Sequence, residues 1–159
     1  MTDNFLIQKA TSEDAANIAI MVGELLQEIM SAIGIQAFDF ELEETITQLN
    51  EFIEQEKYFV FVAQKKNGEL VGFISLYESY ALYAGGSFGT IPELYIRPQI
   101  RSRNIGHCLL EQVKAFGRSR GWKRLEVTTP PLPQFDKTLA FYEKEEFTIT
   151  GGRKLKVCL

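Results

Sequence analysis

Glu93-Leu94-Tyr95-Ile96-Arg97-Pro98-Gln99-Ile100-Arg101-Ser102-Arg103-Asn104-Ile105-Gly106-His107 is the stretch on which the reading of this chain turns. It runs as a strand, a proline stop, a basic turn and the start of a helix. Leu109, Leu110, Val113 and Phe116 follow Ile105 at helical spacing, so one apolar face continues for about four turns. The turn thereby delivers several backbone N–H groups at a positive helix end, flanked by Arg101 and Arg103. Such a cradle attracts anions, and its span suits a diphosphate better than a lone carboxylate.

Working outward, Phe5 to Ala10 reads as a first strand. Thr11-Ser12-Glu13-Asp14 supplies cap residues and first-turn acids for an amphipathic helix ending near Gly34. A second helix is predicted from about Glu41 to Gln55. Tyr58 to Ala63 is too apolar for a half-solvated strand and is expected to be central. Asn67-Gly68 signals a hairpin into a strand from Leu70 to Tyr77. Ser79 to Gly86 reads as a connection and Ser87 to Ile96 as one strand. The helix from Arg103 to Arg120 should stop at Gly121. A strand from Trp122 to Thr129 ends at Pro130-Pro131, a short helix covers Asp136 to about Glu145, and Phe147–Thr150 with Lys154–Cys158 forms a terminal hairpin around Gly151-Gly152. The order βααβββαβαββ implies a mixed α/β (α+β) fold with six to seven strands and about four helices. With no linker or repeat, a single domain over 1–159 is expected.

Composition excludes several classes. The 159 residues carry a net charge of −4, so no basic surface for nucleic acid is expected. A mild acidic balance favours a cationic acceptor. No uninterrupted apolar run approaches ~18 residues, so no membrane role is expected. Two cysteines, Cys108 in the helix run and Cys158 near the C-terminus, match neither a disulfide framework nor a zinc site. With no signal sequence in view, the expected location is cytoplasmic. The single histidine, His107, rules out histidine-cluster metal chemistry, and no metal is expected. G-x-S-x-G, G-x-x-x-x-G-K-S/T and G-x-G-x-x-G are all missing, which argues against a serine hydrolase or an ATP-binding enzyme.

Arg101, Asn104 and Gly106 fall on the fixed positions of Gln/Arg-x-x-Gly-x-Gly/Ala, and the chain resembles the GNAT N-acetyltransferase family. Asn104 replaces the usual glycine, and asparagine enters left-handed backbone conformations more readily than other residues with a Cβ. Thr138 to Phe147 resembles the family's later segment ending F-Y-x-x-x-G-F, with Glu146 in place of the glycine. The resemblance covers essentially the whole chain. It implies the acyl-CoA N-acyltransferase fold with acetyl-CoA as co-substrate.

On that resemblance, the amides of Arg101, Ser102, Arg103, Asn104, Ile105, Gly106 and His107 hold the coenzyme pyrophosphate. Leu94, Tyr95 and Ile96 bind pantetheine through their backbone, and Thr138 and Phe141 line it. Tyr142 is the expected acid for the leaving thiolate and Glu93 the expected base. Phe38, Phe40, Tyr77, Tyr80 and Tyr83 are candidate acceptor-pocket residues by resemblance, although ordinary core or rim packing is the safer reading of each taken singly. The acceptor is expected to be a small-molecule amine or a peptide amine. A non-catalytic acyl-CoA-binding module is the rival reading, and a homodimer paired through the terminal hairpin is another open possibility.

Overall fold

A computed structural model describes residues 5–159, which divide into two compact units, one ending at Thr128 and one running Thr129–Leu159. The first unit is built on a mixed sheet. Its elements are β1 (Leu6–Lys9), α1 (Ala15–Ile33), α2 (Leu42–Glu54), β2 (Phe59–Gln64), β3 (Leu70–Ala81), β4 (Gly86–Ile91), β5 (Leu94–Ile96), α3 (Ile105–Ser119) and β6 (Leu125–Val127). The second unit contains α4 (Asp136–Lys144). The mixed α+β class with six strands and four helices is therefore present, in the order βααββββαβα.

The sheet runs β1-β2-β3-β4-β6, antiparallel except for the parallel β4–β6 pair. Strand β2 is central, as its apolar run requires: Phe59 to Ala63 are all buried. One face packs against α1 and α2 through Ile18, Met21, Leu49, Val60, Val62 and Phe73. On α3, Leu109, Leu110 and Val113 are fully buried, and its Phe116 ring lies 4.9 Å from Phe59 and 5.6 Å from Trp122. Residue type and local geometry agree at the start of α2. Glu41 caps α2 by accepting from the Glu44 amide at 2.6 Å and the Glu43 amide at 3.2 Å.

Three sequence expectations need correcting. The strand predicted over Ser87–Ile96 comes as two, β4 and β5, interrupted at Pro92 and Glu93. The predicted terminal hairpin is not formed: residues 147–159 carry no strand, and Leu155, Val157 and Leu159 are exposed. An isolated two-stranded ribbon with no buried face lacks the packing that stabilises strands. Finally, the segment Ser12–Ile33 is long and apolar enough to cross a membrane by length and composition. Its apolar face is nevertheless spent on the core, where Ile18, Ala19 and Met21 are at most 1% exposed.

The other face of α1 carries acids that hold the edge of the sheet. Glu24 receives Arg97 through Nε and Nη2, both at 3.1 Å, and the Tyr95 hydroxyl at 3.1 Å. One turn later, Glu28 receives both terminal nitrogens of Arg101 at 2.7 and 3.2 Å. Arg97 also donates to the Leu70 carbonyl at 2.9 Å, and Arg101 Nε to the Ile96 carbonyl at 2.7 Å. Arg97 is thus a half-buried tie between α1 and the start of β3. Burial, then the Glu24 carboxylate, push the Tyr95 phenol up to about 12. Two acids one helical turn apart therefore fix α1 to β5 and to the turn behind it.

The Glu28–Arg101 pair is bidentate but partly solvated, so a coupling of about 0.5–1 kcal/mol is expected from a double-mutant cycle of Glu28→Gln and Arg101→Gln in urea unfolding. Additive effects would show that the pair contributes nothing to holding the turn.

Candidate active site

The interruption between β4 and β5 is a bulge of one residue. Thr90 pairs with Tyr77, and the next fixed point is Glu93 opposite Ser75, whose amide donates to the Glu93 carbonyl at 3.0 Å. Between those points β3 spends one residue, Leu76, and the partner chain spends two, Ile91 and Pro92. Proline at the break supplies no ladder donor. Up to Ile91 the chain is paired with β6, where Ile91 faces Val127; beyond the bulge β5 is held by β3 alone.

Register then dictates which backbone groups of β5 remain exposed. Arg97 donates its amide to the Val71 carbonyl at 2.9 Å, so Glu93 and Arg97 are hydrogen-bonded positions on β3. Alternation makes Tyr95 another, and turns the N–H and C=O of Leu94 and Ile96 away from β3. Close packing supports this crossing. A Cβ on Gly72 would lie 2.9 Å from the Tyr95 carbonyl oxygen and 2.8 Å from Ile96 Cδ1, so glycine lets the two strands approach.

The bulge also aims Glu93. Its carboxylate accepts a hydrogen bond from the Ser75 hydroxyl, and the Tyr58 phenol is near enough to act on its charge. Burial raises the Glu93 carboxyl above the usual range, opposed by these two donors. Burial, with the facing Glu93 charge, likewise raises the Tyr58 phenol. Tyr77 stacks on Tyr58 at 6.1 Å and 12°, and the Phe52 ring of α2 lies 5.2 Å from Tyr58, tilted by 46°. A carboxyl raised by burial takes up a proton more readily than an ordinary surface glutamate.

After β5 the chain turns through a single 3-10 turn, Pro98–Ile100, and enters α3. Ser102 and Asn104 both adopt left-handed conformations, φ 66° and 67°. The asparagine standing in the glycine position thus takes the conformation that glycine would. Asn104 offers its carbonyl to the Cys108 amide at 3.1 Å, while its side chain caps nothing. The amides of Ile105 and Gly106 therefore open the helix without a carbonyl partner inside it, the geometry that receives an anion. The Arg101 guanidinium is committed to Glu28 and Ile96, so what this residue presents to the turn is chiefly its backbone. Cys108, placed by sequence in the apolar run, is exposed.

In the second unit, α4 places Tyr142 between Phe141 at 5.3 Å and Phe147 at 5.2 Å, both edge-on. Tyr142 is 4% exposed, and burial raises its phenol above the usual value. Thr138 lies in the first turn of this helix, its amide donating to the Phe135 carbonyl at 3.0 Å. Glu146 takes a left-handed conformation at φ 73°, which costs about 1 kcal/mol relative to the glycine more usual there.

The aromatic residues singled out from sequence separate. Tyr77 joins Glu93 and Tyr58. Phe40 packs its ring on α1 where Gly23 leaves room, and Phe38 is partly exposed in the same loop. Tyr80 hydrogen-bonds Glu78 on the opposite face of β3, the face of Trp122, whose Nε1 donates to Glu78 at 2.6 Å. Tyr83 sits at the hairpin tip under Arg124, 5.3 Å from its ring centroid. Ser75, Tyr58, Glu24 and Glu28 belong to the site's architecture and were not singled out from sequence. A serine inside the apolar run Leu70–Leu76 was the one available signal, since such strands rarely bury a hydroxyl without a partner.

This geometry has relatives. Residues 23–147 match the model of the Acetyltransferase (GNAT) family. An aminoalkylphosphonate N-acetyltransferase of Salmonella typhimurium is 28% identical over 123 residues, covering 77% of this chain and 73% of that protein. Among solved structures, a predicted acetyltransferase of Clostridium acetobutylicum bound to acetyl-CoA superposes with a TM-score of 0.77 at 16% identity, covering 98% of this chain and 96% of that one. An aminoglycoside acetyltransferase from an uncultured soil metagenomic sample gives 0.75 at 18% identity, again over 98% and 96%. A split sheet edge followed by a left-handed turn into α3, together with a family match over most of the chain, makes this protein a member of the GNAT acetyltransferase family.

Proposed function

We propose that the chain is an acetyl-CoA-dependent N-acetyltransferase that acts on a primary amine by direct attack in a ternary complex. The observation carrying this reading is the one-residue bulge at Ile91–Pro92. It frees the outward amides of Leu94 and Ile96 and aims a carboxyl of raised proton affinity from the adjoining residue. A small-molecule amine is the favoured acceptor class, because the names of the Salmonella relative and of the soil-metagenome structural neighbour both specify small amines.

The turn residues fit a diphosphate: Ser102 and Asn104 coil left-handed so that the amides of Ile105 and Gly106 lead the helix. The thioester supplies an activated acetyl group and a thiol leaving group. Glu93 takes a proton from the acceptor ammonium, which frees the nitrogen lone pair for attack. The outward N–H groups of β5 suit the negative charge that grows on the carbonyl oxygen. Tyr142 is the proposed donor of a proton to sulfur as the carbon–sulfur bond breaks; the second proton of the acylated nitrogen restores the phenol, and Glu93 releases its own to solvent. Coenzyme thiols resemble cysteine, with a pKa of roughly 8.5, so a buried phenol above 10 stays protonated until the thiolate develops beside it.

Thiol release from acetyl-CoA with a panel of aminoalkylphosphonates, aminoglycosides, polyamines and peptide amines tests the reading. Binding of acetyl-CoA with no release for any amine would favour the non-catalytic module. With an amine that reacts, Tyr142→Phe should lower kcat by about 100-fold while acetyl-CoA affinity stays within about threefold. Unchanged turnover would remove Tyr142 as the acid.

The raised Glu93 carboxyl also makes a stability statement. Between the ordinary glutamate value, about 4.3, and its raised folded value, the native chain holds a proton that the unfolded chain has lost. Wild-type stability therefore falls as pH rises through that window. Glu93→Gln should be more stable than wild type at neutral pH, with the gap closing as pH drops below about 4. A gap that does not change with pH in urea unfolding would contradict the burial of this charge.

A further inference from the structure

Ser75 stands out as the buried polar residue of the core, 1% exposed inside the apolar stretch of β3. Its hydroxyl donates to the Glu93 carboxylate, and its amide donates to the Glu93 carbonyl at 3.0 Å. Strand β3 therefore grips both ends of one residue across the bulge. Tyr58, at the entry to β2, approaches the same carboxylate with its hydroxyl. Its ring packs against Phe52 at 5.2 Å and Tyr77 at 6.1 Å, contacts that restrict its movement.

We infer that Ser75 and Tyr58 are positioning residues that clamp the Glu93 carboxyl toward the open side of the bulge and set the pH at which it accepts a proton. The inference rests on Glu93 acting as the base. Among the described residues, the groups acting on this carboxyl are these two hydroxyls and the surrounding burial; no cation contributes. Tyr77 acts on the Tyr58 phenol rather than on Glu93, and the α2 ring packed on Tyr58, Phe52, carries no charge. Without a cation, the two hydroxyls alone favour the ionised form against the desolvation that opposes it. A serine placed only for packing would be replaced by alanine without disturbing Glu93. A serine serving the carboxylate would not.

The experiment is a pH titration of the full chain labelled with carboxyl-13C glutamate, followed by NMR. The Glu93 signal is assigned by its loss in Glu93→Gln. Ser75→Ala and Tyr58→Phe, which keep strand packing and the aromatic stack, should each move the Glu93 midpoint upward by about one pH unit, the scale of a hydrogen bond to a charged group. Turnover of Glu93→Gln is measured alongside, with any amine that supports thiol release. A midpoint unmoved in both hydroxyl variants, with Glu93→Gln inactive, overturns the clamp and leaves the base assignment intact. Wild-type turnover in Glu93→Gln overturns the base assignment and the clamp with it.

Discussion

One surplus residue between two fixed pairings is the constraint on which the site depends. Tyr77 holds Thr90 and Ser75 holds Glu93, and the chain must fit two residues where β3 has one. Bulges bend a strand and end its pairing on one side. Here the bend has three results from a single cause. It ends the pairing with β6, turns Leu94 and Ile96 amides outward, and directs a glutamate against Ser75 and Tyr58. A proline at this point is consistent with all three, because a regular ladder would have needed the N–H that it lacks.

An opened edge needs support from elsewhere. Strand β5 is three residues long and is paired on one side only, so the ladder alone would hold it weakly. The acids of α1 supply the second attachment. Glu24 gathers Arg97 and the Tyr95 hydroxyl, and Glu28 gathers Arg101 just before the left-handed turn. Each pair is partly solvated and individually modest. Their value is geometric: two forks, one helical turn apart, set where β5 and the start of α3 lie relative to the α1 face of the sheet. Arg101 thereby connects the signature turn to α1.

Much of this was legible in the chain itself. The turn into α3 followed from an apolar helical period beginning behind two arginines, and the asparagine replacing glycine was identified with the left-handed conformation it adopts. Periodicity located α1, α2 and α3 because their faces alternate cleanly. It did not reveal that Ser87–Ile96 breaks in the middle: Pro92 was the local signal, but the register shift itself depends on the partner strand. Nor could it show that Glu24, Glu28, Tyr58 and Ser75 converge on residues 18 to 73 positions away. The terminal hairpin failed for the complementary reason. Alternating Leu155, Val157 and Leu159 satisfied the strand pattern, but among the described residues they remain exposed, and pattern without burial does not make a strand.

The most direct measurement is amide hydrogen exchange with and without coenzyme A. On this account, adding coenzyme A slows exchange at Leu94, Ile96, Ile105 and Gly106, which face outward or lead α3. Tyr95 and Arg97, already bonded to β3, keep the protection they had. Binding that leaves all four amides unchanged, or that protects a different set of residues, would contradict the assignment of the opened β5 edge and its turn as the coenzyme site.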